Sequence, residues 1–243
     1  MEALRRRTAS LFGEDSRLFL LALDHAQTGV VPGLERTGQL LESLAASPLD
    51  GFILNVGLAG LMAGPPLLRK KLILRSSFGG SSLAATWADT HRNHVSPETA
   101  LSLGADAVLM MVVMGGDDYR NLQTAAADID AYHRLGIPVV AEVLAADFSK
   151  TQSFETQYHG ARVAAELGAD VVKAFYVEGF GKVTAACPAP VILAGGPKGK
   201  DILEIAAKAL EEGARGFAFG RNIFQDPDPA ACIHRIASLL DRT

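Results

Sequence analysis

The sequence predicts an α/β fold, a single (β/α)8 TIM barrel spanning residues 1–243, and three observations carry that reading. Eight short runs rich in Val, Ile, Leu and Phe recur along the chain, at 18–23, 51–56, 72–75, 107–114, 138–143, 170–175, 190–193 and 216–219. Each is followed by a turn and a helix-like stretch, which leaves roughly 30 residues per unit, the size of a βα repeat. One helix-to-strand junction also repeats, as Leu103-Gly104-Ala105-Asp106, Leu167-Gly168-Ala169-Asp170 and Glu212-Gly213-Ala214-Arg215.

The runs are nearly continuous in apolar character. Strands need that when helices cover one face and a packed interior fills the other. The segments 34–46, 118–135, 155–167, 201–212 and 229–240 have helical spacing, and Gly136, Gly168 and Gly213 stand where helix C-caps belong. Residues 57–69, with Pro65-Pro66, read as a reduced crossover. Residues 78–97, with Gly79-Gly80, read as a long loop after the third strand. No composition shift or Gly/Ser linker divides the chain, so one domain is expected. An open doubly wound sheet is the competing fold. Its Gly-rich first turn is replaced here by Asp24-His25-Ala26-Gln27.

Composition narrows the function classes. Apolar residues at 49% against 21% charged give enough material for a core and exclude overall disorder. A net charge of −4 argues against nucleic acid as the main partner. Two cysteines, Cys187 and Cys232, are too few for a disulfide scaffold and read as buried thiols in a reducing compartment, so a cytoplasmic location is expected. The first apolar run stops at Asp24, far short of a signal-peptide core or a membrane span. Arg5, Arg6 and Arg7 lie among Glu2, Glu14 and Asp15, the wrong company for a transit peptide.

Barrel chemistry sits at the C-terminal strand ends. The eight runs deliver, in order, Asp24 and His25; Asn55; Arg75, Ser76 and Ser77; Met114 with Gly115-Gly116; Glu142; Lys173; Gly195-Gly196; and Gly220-Arg221-Asn222. Lys173 is the most informative. It lies mid-strand in Val171-Val172-Lys173-Ala174-Phe175, where desolvation disfavours a charged ammonium. A neutral lysine is a nucleophile that forms a Schiff base with a ketone. A structural ion pair with Glu142 on the neighbouring strand fits the spacing equally well. Asp24 can shuttle a proton to or from a substrate hydroxyl, or can be a hydrogen-bonded rim carboxylate. His25 is an acid/base partner or a ring bonded to the backbone.

Gly195, Gly196, Gly220 and Arg221 fall in the two loops that hold phosphate in many barrels. Glycines let backbone N–H groups approach an anion, and arginine clamps it; simple turns are the alternative. His91 and His94 have metal-like spacing, but with only Asp89 close by they read as a solvated loop, and no metal site is expected. Cys187 reads as packing, and Trp87 as a residue that could help cover the site.

Four motifs, in order along nearly the whole chain, resemble the archaeal-type class I aldolases. They are Asp24-His25 with Gly29 and Pro32-Gly33-Leu34-Glu35; Val171-Val172-Lys173; Ala194-Gly195-Gly196-Pro197-Lys198; and Gly220-Arg221-Asn222-Ile223-Phe224. The family includes fructose-bisphosphate aldolases, aminodideoxyheptulosonate-type synthases and the thiolases that process phosphorylated autoinducer-2. The stretches 173–180 and 187–190 are most similar to the thiolase branch. The resemblance implies a Schiff-base lyase acting on a phosphorylated ketose or diketone. Lys173 would be the nucleophile, Asp24 with His25 or Glu142 would move protons, and the four glycine and arginine positions would hold phosphate. No cofactor is needed, because the iminium replaces a Lewis acid. The partner is a small phosphorylated molecule, not nucleic acid or membrane, and the chain is expected to form a homo-oligomer. The bisphosphate aldolases carry a proton-donor tyrosine at the end of strand five, in a Tyr-Pro-Arg-Gly context. Glu142-Val143-Leu144-Ala145-Ala146 stands there instead, which argues against ordinary fructose-bisphosphate cleavage. The same lysine would also serve a CoA-dependent thiolase. Without Schiff-base chemistry, the barrel would be an isomerase or sensor of a sugar phosphate.

Overall fold

The computed structural model describes residues 2–84, 91–196 and 201–242. Eight parallel strands close into a barrel: β1 (Leu18–Ala22), β2 (Gly51–Asn55), β3 (Lys71–Arg75), β6 (Ala107–Met114), β7 (Val139–Ala145), β8 (Val171–Phe175), β9 (Val191–Ala194) and β10 (Gly216–Phe219). Their order around the barrel follows the chain, and β1 pairs with both β2 and β10. β4 (Ser77–Phe78) and β5 (Arg92–Asn93) form a small antiparallel hairpin beside it. All eight predicted runs are strands, with ends displaced by a residue or two.

Side-chain alternation sorts each strand into two faces. Leu20, Ile53, Ile73, Leu109, Val140, Val171 and Ile192 belong to one buried cluster, which fills the barrel interior. Their neighbours Leu21, Phe52, Leu74, Val108, Ala141 and Val172 belong to another, packed under the helices. Both faces are therefore apolar, which is why the strands lack an alternating pattern.

The repeated junction has a physical reason. Gly104, Gly168 and Gly213 take φ of +71°, +109° and +96°, a turn out of the helix that side chains resist. The following alanine is buried in all three. In the first two, the aspartate that follows accepts a backbone N–H from the start of the preceding strand: Leu72 donates to Asp106 Oδ2 and Val139 to Asp170 Oδ2, both at 2.8 Å. Asp50 does the same for Phe19 at 2.7 Å.

The covering helices are α2 (Thr37–Ser43), α3 (Pro97–Ser102), α4 (Asp118–Arg134), α5 (Phe154–Glu166), α6 (Phe180–Ala186), α7 (Ile202–Glu211) and α9 (Pro229–Ala237). The reduced crossover is two 3-10 turns, Val56–Ala63 and Pro65–Leu67. α2 is shorter than the 34–46 stretch that suggested it. Sequence reasoning passed over α3, α6 and the amino-terminal helix α1 (Glu2–Leu11). α1 is largely polar, and its contribution is at one end. Fully buried Leu11, with Phe12, joins the interior cluster and closes the barrel at the N-terminal ends of the strands. The other end, where the strands finish, is the mouth of the barrel.

Candidate active site

The inward face of each strand changes character one step above the apolar filling. Two residues beyond Val171 comes Lys173, beyond Val140 comes Glu142, beyond Ile73 comes Arg75, and beyond Ile53 comes Asn55. Asp24 opens a 3-10 turn (Asp24–Thr28) two residues beyond the inward Ala22. Period-two geometry thus places a polar layer at the mouth.

Lys173 and Glu142 face each other in register on adjacent strands. Lys173 Nζ donates to Glu142 Oε2 at 2.9 Å, and both side chains are buried. The ion pair expected as the bland alternative is therefore present, at the open end of the barrel. Asp24 is 4% exposed and accepts from Arg75 Nη1 at 2.6 Å. Its burial alone would raise the carboxyl, but Arg75, His25 and Lys173 together hold it below the ordinary carboxylate range. Asn55 Nδ2 donates to the Asp24 carbonyl at 2.9 Å and fixes the turn.

His25 stands with Nδ1 3.7 Å from Asp24 Oδ1. Burial is the main reason its ring lies below the ordinary histidine range, against the opposing pull of Asp24; Lys173 and Arg221 add to the lowering and Glu142 opposes it. The ring packs edge-on against Phe224, with centroids 5.3 Å apart. Its close neighbour is Gly220, where a Cβ would stand 2.3 Å from His25 Cε1. Gly220 leads into the short helix α8 (Arg221–Phe224). A Cβ on Gly195 would stand 2.5 Å from Asn222 Oδ1, so the loops after β9 and β10 abut at that point. Arg221 Nε and Asn222 Oδ1 are buried with no hydrogen-bond partner among the described residues.

Lys173, Glu142, Asp24, His25 and Arg221 thus share one end of the barrel. Arg75 was visible in the sequence as a strand-end residue but carried no role; Gln27 and Asn222 were likewise passed over. The usable signal for Arg75 was its position two residues after Ile73, on the inward face. His91 and His94 belong to the hairpin region. His91 lies against Gly79, and His94 packs edge-on against Phe78. Cys187 is buried, and burial pushes its thiol up. Trp87, Asp89, Pro197 and Lys198 lie outside the described residues. A cavity of about 340 Å³ lies between the C-terminal ends of β6 and β7 and helix α5, where Met114, Gly115, Ala146, Lys150, His159 and Gly160 meet; Lys173, Glu142, Asp24 and Arg221 do not line it.

A lysine accompanied by a carboxylate, at the open end of an otherwise apolar barrel, suits covalent imine chemistry, and the fold and mouth define an enzyme of the class I aldolase type. A family model described as DeoC/LacD family aldolase matches residues 72–226, from β3 through α8. The chain belongs to that family. It is 34% identical over 98% of its length to a 3-hydroxy-5-phosphonooxypentane-2,4-dione thiolase of Enterobacter sp. (strain 638), covering 81% of that protein. It is 33% identical over 93% of its length to a 2-amino-4,5-dihydroxy-6-oxo-7-(phosphonooxy)heptanoate synthase of Streptomyces griseus, covering 86% of it. Its fold is similar, at a TM-score of 0.85 and 26% identity, to an archaeal fructose-1,6-bisphosphate aldolase whose catalytic lysine is covalently bound to the carbinolamine intermediate; 98% of this chain and 99% of that one superpose.

Proposed function

We propose that Lys173 forms a Schiff base with a phosphorylated ketose or diketone and that the enzyme makes or breaks the adjacent carbon–carbon bond. The Lys173–Glu142 couple carries the reading, because it pairs a nucleophile with a proton acceptor inside a desolvated mouth. Glu142 takes a proton from the ammonium, and the free amine adds to the substrate carbonyl. The same carboxylic acid returns the proton as the carbinolamine loses water. The iminium then draws the electron pair of the breaking bond, while Asp24 accepts the proton of the substrate hydroxyl. The imine is the electron sink, so these steps call for no metal or organic cofactor.

The phosphate is assigned to the loops after β9 and β10. Gly195, Gly196 and Gly220 let backbone N–H groups approach, and Arg221, whose Nε has no partner among the described residues, adds charge. His25, wedged between Gly220 and Asp24, connects that cradle to the proton chemistry. The reading implies a role in carbohydrate metabolism. Free cysteines at 187 and 232 support a cytoplasmic setting, and a homo-oligomeric assembly remains part of the proposal.

A second reading has its own support. The thiolase relative aligns over 98% of this chain, and the stretch Glu142-Val143-Leu144-Ala145-Ala146 lacks the tyrosine expected of a bisphosphate aldolase. On that reading, CoA accepts the acyl group released from a phosphorylated diketone. The test is incubation with 3-hydroxy-5-phosphonooxypentane-2,4-dione and borohydride, read by intact mass and peptide mapping. One adduct at Lys173 is expected, and Lys173→Met should keep its fold and phosphate affinity while losing labelling and turnover. Labelling elsewhere, or an active Met variant, would overturn the Schiff-base mechanism. Turnover only when CoA is added would select the thiolase.

A further inference from the structure

Every nitrogen of the Arg75 guanidinium is held. Nη1 donates to Asp24 Oδ2 at 2.6 Å, and Nε donates to the Ser77 carbonyl at 2.8 Å. With the Gln27 amide turned to satisfy both of its neighbours, its oxygen accepts from Nη2 at 2.9 Å and its nitrogen donates to the Ser77 carbonyl at 3.2 Å. The residue is 2% exposed. A side chain so enclosed cannot swing out to meet substrate, and its planar fork fixes the direction from which Asp24 is approached. The partners come from two separate chain segments, the turn after β1 and the end of β3 leading into β4, so the clamp also ties those two parts of the mouth together.

We infer that Arg75 is a positioning residue that locks Asp24 as a fixed carboxylate of the mouth, leaving exchange of the Lys173 proton to Glu142. The inference rests on the Schiff-base reading and assigns its two carboxylates different tasks. Asp24 receives and returns the proton of the substrate hydroxyl from an unvarying position. Glu142 shares its proton with Lys173. The titratable and charged groups acting on Asp24 are His25 beside it, Arg75 from β3 and Lys173 from β8. Of these, Arg75 makes the short contact, at 2.6 Å, and takes part in no proposed chemical step.

Arg75→Lys tests this, because it preserves the charge but cannot serve three partners in one plane. The probe is 3-hydroxy-5-phosphonooxypentane-2,4-dione, with borohydride labelling and turnover measured on the same preparations. Labelling of Lys173 should persist, showing a folded mouth with a competent amine. Turnover should fall by roughly tenfold or more with KM little changed, the pattern of an interaction that matters in the transition state. The acid limb of the rate profile should move to higher pH, since Asp24 loses part of what holds it ionised. Placed on an Asp24→Asn background, Arg75→Lys should cause little further loss of turnover. An unmoved acid limb, or an equal further loss on that background, would overturn the positioning role. Parallel loss of labelling, turnover and melting temperature would reduce Arg75 to a structural residue. An unlabelled wild-type enzyme would instead overturn the Schiff-base reading itself and the inference with it.

Discussion

Lys173 and Glu142 form one buried pair, to which the proposed mechanism gives two tasks. Each alone would be an uncompensated charge among Val, Ala and Ile, at a cost of several kcal/mol. Together they satisfy each other at 2.9 Å, and the proposed mechanism has them trade a proton as well. Glu142→Gln separates these duties, because the amide keeps a hydrogen bond to Nζ but cannot accept the proton. Turnover is expected to fall by roughly 10²-fold, with phosphate affinity intact. Full turnover in steady-state assays of this variant would remove Glu142 from proton transfer. Asp24 offers the contrast of a carboxylate that Arg75, His25 and Lys173 hold below the ordinary range, so that it meets substrate ionised and ready to accept the hydroxyl proton.

At the scale of elements, the hairpin of β4 and β5 borders the mouth beside Arg75. It is anchored to α4 by Tyr132, whose single hydroxyl proton is shared between the Val95 carbonyl and Asn93 Oδ1, the latter at 3.1 Å. His91, next to β5, packs against Gly79. Burial, helped by the nearby Arg75 charge, lowers its ring from 6.5 to about 4. A histidine depressed in this way favours folding while neutral, so its contribution is complete above pH 6.5 and is lost as pH falls toward 4. The loss should amount to something on the order of 3 kcal/mol. Melting curves between pH 7 and 4 should therefore fall more steeply for the wild type than for His91→Gln. Parallel slopes would show that this ring does not titrate with unfolding.

The whole molecule separates stability from chemistry along the barrel axis. The closed end is built from Leu11, the junction aspartates and Arg242, whose Nη1 donates to Asp50 Oδ2 at 2.8 Å and whose Nε donates to Asp15 Oδ2 at 2.6 Å. The open end carries the polar layer, and among the described residues no helix is long and apolar enough to cross a membrane. Leu11→Ala should cost roughly 3 kcal/mol of stability through the cavity it leaves. Its rate of borohydride labelling at Lys173 should match the wild type well below the melting temperature. Slower labelling there would mean that the two ends are mechanically coupled.

The barrel was legible because strands covered on both faces must be apolar throughout, and because a Gly-Ala junction recurs at 104–105, 168–169 and 213–214, where a helix returns to a strand. Lys173 was legible for the same reason, as a charge in a place where charge is costly. The helix α1 was not, since its polar sequence hides the single end residue that closes the barrel. The pairing of Arg75 with Asp24, 51 positions apart in the chain, also lay beyond the sequence. Alternation along one strand shows that Arg75 points inward. Which carboxylate it meets depends on barrel closure and on the path of the turn after β1, and those belong to the tertiary structure alone. The sequence by itself determined the kinds of groups at the mouth; packing decided which carboxylate is held fixed and which is paired with the lysine.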